Sequence, residues 1–257
     1  MPSQDVVVAI TGAESGIGAA CARAFGRAGH AVALFYFHEE RAARENLATI
    51  EQAGGKGTVI QCDIRDEASV EAAFAASESK LGVASFLVNS AGLNQSGVPV
   101  AAMELSQWQR IIATDLTGAF LTSRRFVRSL HATKRSGAIV NISSIHAKAV
   151  LAGAADYCAA KAGLKRLTET MALEEAANGI RVNAISPGMI LTPMNARAVA
   201  DEAYRASLEQ SIPAGRAGTP EEVADLALWL ASPAAGYITG ASIVIDGGLS
   251  LMLGQGA

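Results

Sequence analysis

Val6-Val7-Val8-Ala9-Ile10-Thr11-Gly12-Ala13-Glu14-Ser15-Gly16-Ile17-Gly18 is the stretch on which the fold turns. Val6–Ile10 is an unbroken apolar run, as expected of a strand buried on both faces of a parallel sheet. Gly12 can take positive φ, and Gly16 and Gly18 permit close backbone approach. The segment Glu14–Gly29 follows, with Ile17, Cys21 and Phe25 spaced four apart on one stripe. A helix starting here points unpaired N–H groups and its positive dipole end at a diphosphate. The spacing is G-x-x-x-G-x-G rather than G-x-G-x-x-G. A glycine-rich turn without a ligand is therefore the alternative. The position between a first strand and an amphipathic helix favours the phosphate loop.

Outward from this stretch the same rhythm repeats. Short runs rich in Val and Ile recur at Ala31–Phe37, Thr58–Gln61, Phe86–Asn89, Ala138–Ile142, Arg181–Ile185 and Ser242–Ile245, with Ala-rich segments between them. One such segment, Tyr157–Asn178, stops at Asn178-Gly179, a helix-end signal. Alternating strand and helix predicts an α/β fold, a doubly wound Rossmann-type parallel sheet of seven strands with helices on both faces. There is no internal repeat or low-complexity linker, so one domain is expected over residues 1–257.

Composition narrows the function classes. Half of the 257 residues are apolar, and the net charge is −3, with no basic tract to meet nucleic acid. The three cysteines, Cys21, Cys62 and Cys158, lack metal spacing and fit reduced thiols; no metal site is expected. No run approaches the roughly 20 apolar residues that span a bilayer. Met1–Asp5 does not read as a signal peptide. A soluble, cytoplasmic protein is expected.

Chemistry enters at the ends of the strands, where an open α/β sheet binds its ligand. Asp63 follows the third strand and Asn89-Ser90-Ala91-Gly92 the fourth. The fifth ends in Ser143-Ser144. Tyr157 lies thirteen residues beyond Ser144, and Lys161 four beyond Tyr157. Positions i and i+4 of a helix share a face. An ammonium beside a phenol favours the phenolate. A tyrosine tuned in this way can take or deliver the proton that accompanies hydride transfer. Ser144 can hold the substrate oxygen near it. A Tyr and a Lys on an ordinary helix surface is the alternative, and the ordered set weighs against it.

With these motifs the chain resembles the short-chain dehydrogenases/reductases over nearly its whole length. The carriers are Thr11-Gly12-x-x-x-Gly16-x-Gly18, Asp63, Asn89-Ser90-Ala91-Gly92, the set Ser144, Tyr157 and Lys161, Pro187-Gly188 with Thr192, and Gly240–Gly248. The resemblance implies strand order 3-2-1-4-5-6-7, a homotetramer, and NAD(P)-dependent oxidoreduction of a small alcohol or carbonyl compound. It implies cofactor contacts from Gly12, Ser15, Gly16, Ile17, Gly18, Asp63, Ile64, Asn89, Ala91, Gly92, Tyr157, Lys161, Pro187, Gly188, Ile190 and Thr192. Lys161 is to hold the nicotinamide ribose. Asp115, in Asp115-Leu116-Thr117-Gly118, replaces the family's usual Asn, which helps hold a relay water. An ionised Asp cannot donate a hydrogen bond. A near-isostere still holding the water is the expectation, and a pair with Lys161 the alternative.

Within the family the chain is most like bacterial glucose 1-dehydrogenases, through Asp115–Leu121, Ser143-Ser144-Ile145-His146 and Thr192-Pro193-Met194-Asn195-Ala196. That likeness implies a sugar or polyol pocket lined by His146 and Asn195; Ser144 and Asn94, which stands where those enzymes carry a Glu, could face the reacting carbon with them. A backbone-bonded loop histidine is the alternative for His146. Small diketone and acetoin reductases share the same stretches, and a small-carbonyl reductase of the acetoin/diacetyl or 3-oxoacyl type is the alternative. The non-enzymatic alternative, a dinucleotide sensor, is disfavoured by the Tyr/Lys pair. The second strand ends Phe35-Tyr36-Phe37-His38 without a carboxylate, and His38 and Arg41 could meet a 2′-phosphate. Against this, Glu14 puts negative charge in the loop. The reading leans to NADP over NAD.

Overall fold

The structure is a computed structural model and describes residues 6–252. The reading of Met1–Asp5 and the last five residues of the expected domain lie outside it. In chain order the principal elements are β1 (Val7–Thr11), α1 (Gly16–Arg27), β2 (Ala31–Tyr36), α2 (Glu40–Gln52), β3 (Lys56–Gln61), α3 (Glu67–Leu81) and β4 (Phe86–Asn89). They continue with α4 (Leu105–Ile112), α5 (Ala119–Thr133), β5 (Gly137–Ile142), α6 (Ala155–Glu175), β6 (Ile180–Pro187), α7 (Ala196–Ala200), α8 (Glu202–Glu209), α9 (Pro220–Ala231) and β7 (Ser242–Ile245).

The seven strands form one parallel sheet in the order β3-β2-β1-β4-β5-β6-β7, as the resemblance implied. Every residue of β1 and β2 is buried, which is why their sequences read as continuous apolar runs rather than alternating ones. Two cores enclose the sheet. One packs Phe74 of α3, Phe126 and Leu130 of α5 and Met171 of α6 against Phe35, Leu87 and Ile139. The other packs Phe25 of α1, Ile50 of α2 and Leu230 of α9 against Ile10, Leu34 and Val88. Helices on both faces follow from buried strands needing cover on each side. Among the described residues no helix is long and apolar enough to cross a membrane.

Because all strands are parallel, their carboxyl ends share one edge. Thr11 lies in register with Phe35 on one side and Asn89 on the other. Strand order reverses at β1, and the β1/β4 ends open a crevice there. Between α4 and α5 the chain makes one wide π turn, Ala113–Gly118, so that Leu105–Thr133 is a continuous rod. Such turns are frequent at functional sites, and this one carries Asp115. Helix α1 begins at Gly16 rather than Glu14, because the glycine loop keeps its own conformation first. Helix α6 begins two residues before Tyr157.

Candidate active site

A cavity of about 800 Å³ opens along the carboxyl edge of the sheet. Its floor is the glycine loop. Gly12 has φ +66° and lies against the β4 turn: a Cβ there would meet the Ala91 Cα at 2.9 Å. The Thr11 hydroxyl accepts from the Ser90 and Ala91 N–H groups, both at 3.1 Å, which ties the β1 and β4 ends together. Gly12, Ser15, Gly16 and Ile17 line the cavity, with Asp63, Ile64, Ala91, Gly92, Pro187, Gly188, Ile190 and Thr192.

Two expected cofactor contacts stand elsewhere. Gly18 is not in the lining; a Cβ on it would meet the Gly12 carbonyl oxygen at 2.1 Å, so it is needed for the loop to close on its own helix. Asn89 is buried behind the β4 end. Its amide donates to Ser123 Oγ at 2.9 Å and Asn141 Oδ1 at 2.8 Å, and its Oδ1 accepts from Thr122. Both residues shape the crevice without facing it.

Ser144, Tyr157 and Lys161 come together in the cavity wall. Ser144 opens the turn after β5 and is buried; its Oγ accepts from the His146 N–H at 3.1 Å. Lys161 Nζ lies 5.5 Å from the Tyr157 ring centroid. It donates to the Ile142 carbonyl at 3.2 Å. The fully covered Asp115 carboxylate stands 3.1 Å away. Asp115 Oδ1 accepts from the Leu93 N–H at 2.8 Å. The π turn brings the Asp115 carboxylate directly onto Lys161, the pairing given above as the alternative. Burial disfavours the ammonium, but the Asp115 carboxylate, with Tyr157 adding, holds the amine's proton beyond the usual lysine range. Burial in turn pushes the Asp115 carboxyl up, against the pull of Lys161 and the Leu93 N–H.

The fold also supplies a buried residue that motif reading passed over. Asp156, wholly buried, accepts from the Tyr157 N–H at 2.8 Å and from the Gln107 amide at 2.9 Å. Gln107 also donates to the Gln95 carbonyl at 3.2 Å, so it links the loop after β4 to the start of α6. Only the spacing of Asp156 next to Tyr157 could have flagged it.

Of the expected substrate contacts, Asn94, His146 and Asn195 all line the cavity. His146 Nδ1 is engaged by the Ala149 carbonyl at 3.0 Å, the backbone-bonded alternative. Its ring meets Tyr157 edge-on, centroids 6.2 Å apart. Asn195 Nδ2 donates to the Ile190 carbonyl at 2.8 Å. Around them stand Leu151, Met189, Met194, Leu208, Ile212 and Leu249.

A family model described as enoyl-(acyl carrier protein) reductase matches residues 12–250. The chain belongs to the short-chain dehydrogenase/reductase family. Within this family it is 43% identical to 3β-hydroxysteroid dehydrogenase 1 of Eggerthella lenta, covering 96% of this chain and 94% of that one. Glucose 1-dehydrogenase 2 of Bacillus subtilis is 36% identical, covering 96% and 95%. A solved structure from Agrobacterium tumefaciens, assigned as a 2-deoxy-D-gluconate 3-dehydrogenase with NADP bound, superposes with TM-score 0.87 at 33% identity, covering 96% and 97%. As a member of this oxidoreductase family, the protein uses NAD or NADP. The loop fits such a group: Gly12, Ser15, Gly16 and Ile17 line the cavity at the start of α1, and the side chain of the N-cap Ser15 makes no capping hydrogen bond, so the first N–H groups of the helix are left for a diphosphate.

Proposed function

We propose that this enzyme interconverts a secondary alcohol on a largely apolar ring and the corresponding ketone, with Tyr157 as the acid/base. The observation that carries the substrate class is the wall of the cavity. Leu151, Met194, Leu208, Ile212 and Leu249 face it, and Leu151 and Met194 remain 43% and 49% exposed. Exposed apolar side chains beside a concave site favour an apolar ligand. Meanwhile the polar groups on which a sugar reading leans are partly committed to backbone, His146 through Nδ1 and Asn195 through Nδ2. The hydroxysteroid relative acts on a ring alcohol of this kind.

When bound, the nicotinamide supplies the hydride acceptor or donor. The chain's own residues do the rest. Ser144 holds the substrate oxygen beside the Tyr157 phenol. In oxidation the hydroxyl proton passes to the Tyr157 oxygen as the carbonyl forms; in reduction it returns. Lys161, kept charged by Asp115, stabilises the phenolate. Gly12, Ser15, Gly16, Ile17 and Thr192 cradle the dinucleotide, and Asp63 and Ile64 flank its adenine end.

A second reading keeps a sugar or polyol as substrate. It draws on Asn94, the Nε2 side of His146 and Oδ1 of Asn195, and on the glucose dehydrogenase relative. The two readings are separated by kcat/KM for a substituted cyclohexanol, glucose and diacetyl on one preparation. Burying about 100 Å² of ring surface is worth roughly 2.5 kcal/mol at about 25 cal/mol per Å². The cyclohexanol should therefore lead by roughly ten- to a hundredfold. Glucose or diacetyl in the lead would overturn the ring-alcohol proposal.

The same reading carries a homotetramer in the cytoplasm. Leu105, Trp108 and Phe120 on the α4–α5 rod and Leu173 on α6 are exposed in one chain, apolar surface that further copies would cover.

A further inference from the structure

We infer that Asp156 is a positioning residue for substrate binding: through Gln107 it latches the loop after β4, residues 93–98, onto the first turn of α6. The inference rests on the dehydrogenase reading and says what holds the substrate side of that site. Leu93, Asn94 and Ser96 of this loop line the cavity that Ser144 and Tyr157 also line. Most of the loop is exposed, so it has little apolar packing of its own and depends on hydrogen bonds for its place.

The two ends of the loop are fixed by Asp115 and by backbone. The Leu93 N–H donates to Asp115 Oδ1 at 2.8 Å. The Gly97 and Val98 N–H groups donate to the Gly153 carbonyl, just before α6, at 2.8 and 3.1 Å. Gly153 has φ +77°, and a Cβ on it would meet the Gly97 backbone at 3.0 Å, so the two stretches of chain lie in contact. Between these ends the tie is the Gln107 amide. From α4 its nitrogen donates to the Gln95 carbonyl at 3.2 Å and to Asp156 Oδ2 at 2.9 Å.

Asp156 decides which way that amide points. A primary amide carries donors at one end and an acceptor at the other, whereas a carboxylate only accepts. Asp156 is wholly buried, and its Oδ1 accepts from the Tyr157 N–H at 2.8 Å, at the start of a helix, where the dipole favours a carboxylate. Its Oδ2 therefore demands the nitrogen end of Gln107, and the second hydrogen of that nitrogen is left for the Gln95 carbonyl. Burial enforces the choice, because a carboxylate oxygen turned away from its donor would stand unpaired out of water. Asp156 thus places a loop that it does not touch.

The test is steady-state kinetics of the natural protein, Asp156→Asn, Gln107→Leu and the double variant Asp156→Asn/Gln107→Glu. The substrate is whichever of a substituted cyclohexanol, glucose and diacetyl the natural protein turns over best. In Asp156→Asn the side chain still accepts from the Tyr157 N–H, but its amide draws the oxygen end of Gln107 toward it, and the Gln95 carbonyl loses its donor. Substrate KM should rise about tenfold in both single variants, with kcat and the dinucleotide KM within about threefold. KM does not depend on the fraction of protein that is folded, so lost stability alone leaves it in place. The double variant restores a hydrogen bond between positions 107 and 156 but gives the Gln95 carbonyl no donor, so its KM should stay raised. An unchanged substrate KM in either single variant, or a KM restored in the double variant, would overturn the latch while leaving the dehydrogenase reading intact. No turnover by the natural protein would overturn both.

Discussion

Lys161 is a covered cation, and its neighbour determines how strongly it can pull on Tyr157. Asp115 at 3.1 Å keeps the lysine charged, but its own negative charge opposes the phenolate. Asp115→Asn removes the anion that holds the Lys161 proton and leaves the covered ammonium without its charge partner. The expected outcome is a loss of stability of roughly 3 kcal/mol, read as a urea midpoint at neutral pH. A midpoint that stays in place would contradict a buried pair at this point. Much of the site at this scale was legible, because Ser144, Tyr157 and Lys161 sit at a spacing dictated by strand end and helix pitch. Asp115 was not, since no sequence pattern gives the distance from a π turn to a neighbouring helix. Glu14 read only as negative charge in the loop; its bond to the Phe37 N–H depends on the loop crossing the end of β2, which no sequence pattern shows. His146 and Asn195 both line the cavity; a backbone bond was the stated alternative for His146, while that of Asn195 to the Ile190 carbonyl depends on the path of an irregular loop and was not legible.

β4 and the partly exposed edge strand β7 match their apolar runs, while β3 begins at Lys56, two residues before its run, because its first residues are exposed or half-buried and carry no apolar signal. The π turn and the short helices α7 and α8 have no periodicity long enough to announce them. Helix α9 illustrates local stability set by a few side chains. Thr219 and Glu222 form a reciprocal capping box, with Pro220 in the first turn. Glu222 is further held by Arg216 at 2.5 Å. Thr219→Val should lower stability by about 1 kcal/mol, read as a urea midpoint at neutral pH. The Arg216 guanidinium and the Thr219 N–H hold the Glu222 carboxyl down to about 2 from 4.5. A depressed carboxyl stabilises above its ordinary value and loses that contribution as pH falls through its folded one. The gap between the natural protein and Glu222→Gln should be constant above pH 4.5 and close as pH falls toward 2. A gap that persists at the acid end would place the stabilisation elsewhere.

Over the whole molecule, strand order was legible only through the resemblance; alternation of strand and helix by itself gives a doubly wound sheet but not which strand neighbours which. The order matters because reversal at β1 opens the crevice in which the glycine loop, the β4 turn and Tyr157 meet. Assembly should cover the exposed Leu105, Trp108, Phe120 and Leu173. Sedimentation equilibrium at micromolar concentration should give four times the 26.4 kDa chain mass; a mass of one chain would rule out the tetramer. Turnover by the assembled protein offers the sharpest test, because the account makes one phenol responsible for proton movement and not for holding the cofactor. Steady-state oxidation of a cyclohexanol by Tyr157→Phe, with dinucleotide affinity measured alongside, should show kcat lower by about 10²–10⁴-fold. Affinity should stay within about twofold, since the phenol acts in the transition state. A Phe variant that keeps most of its turnover would contradict the account.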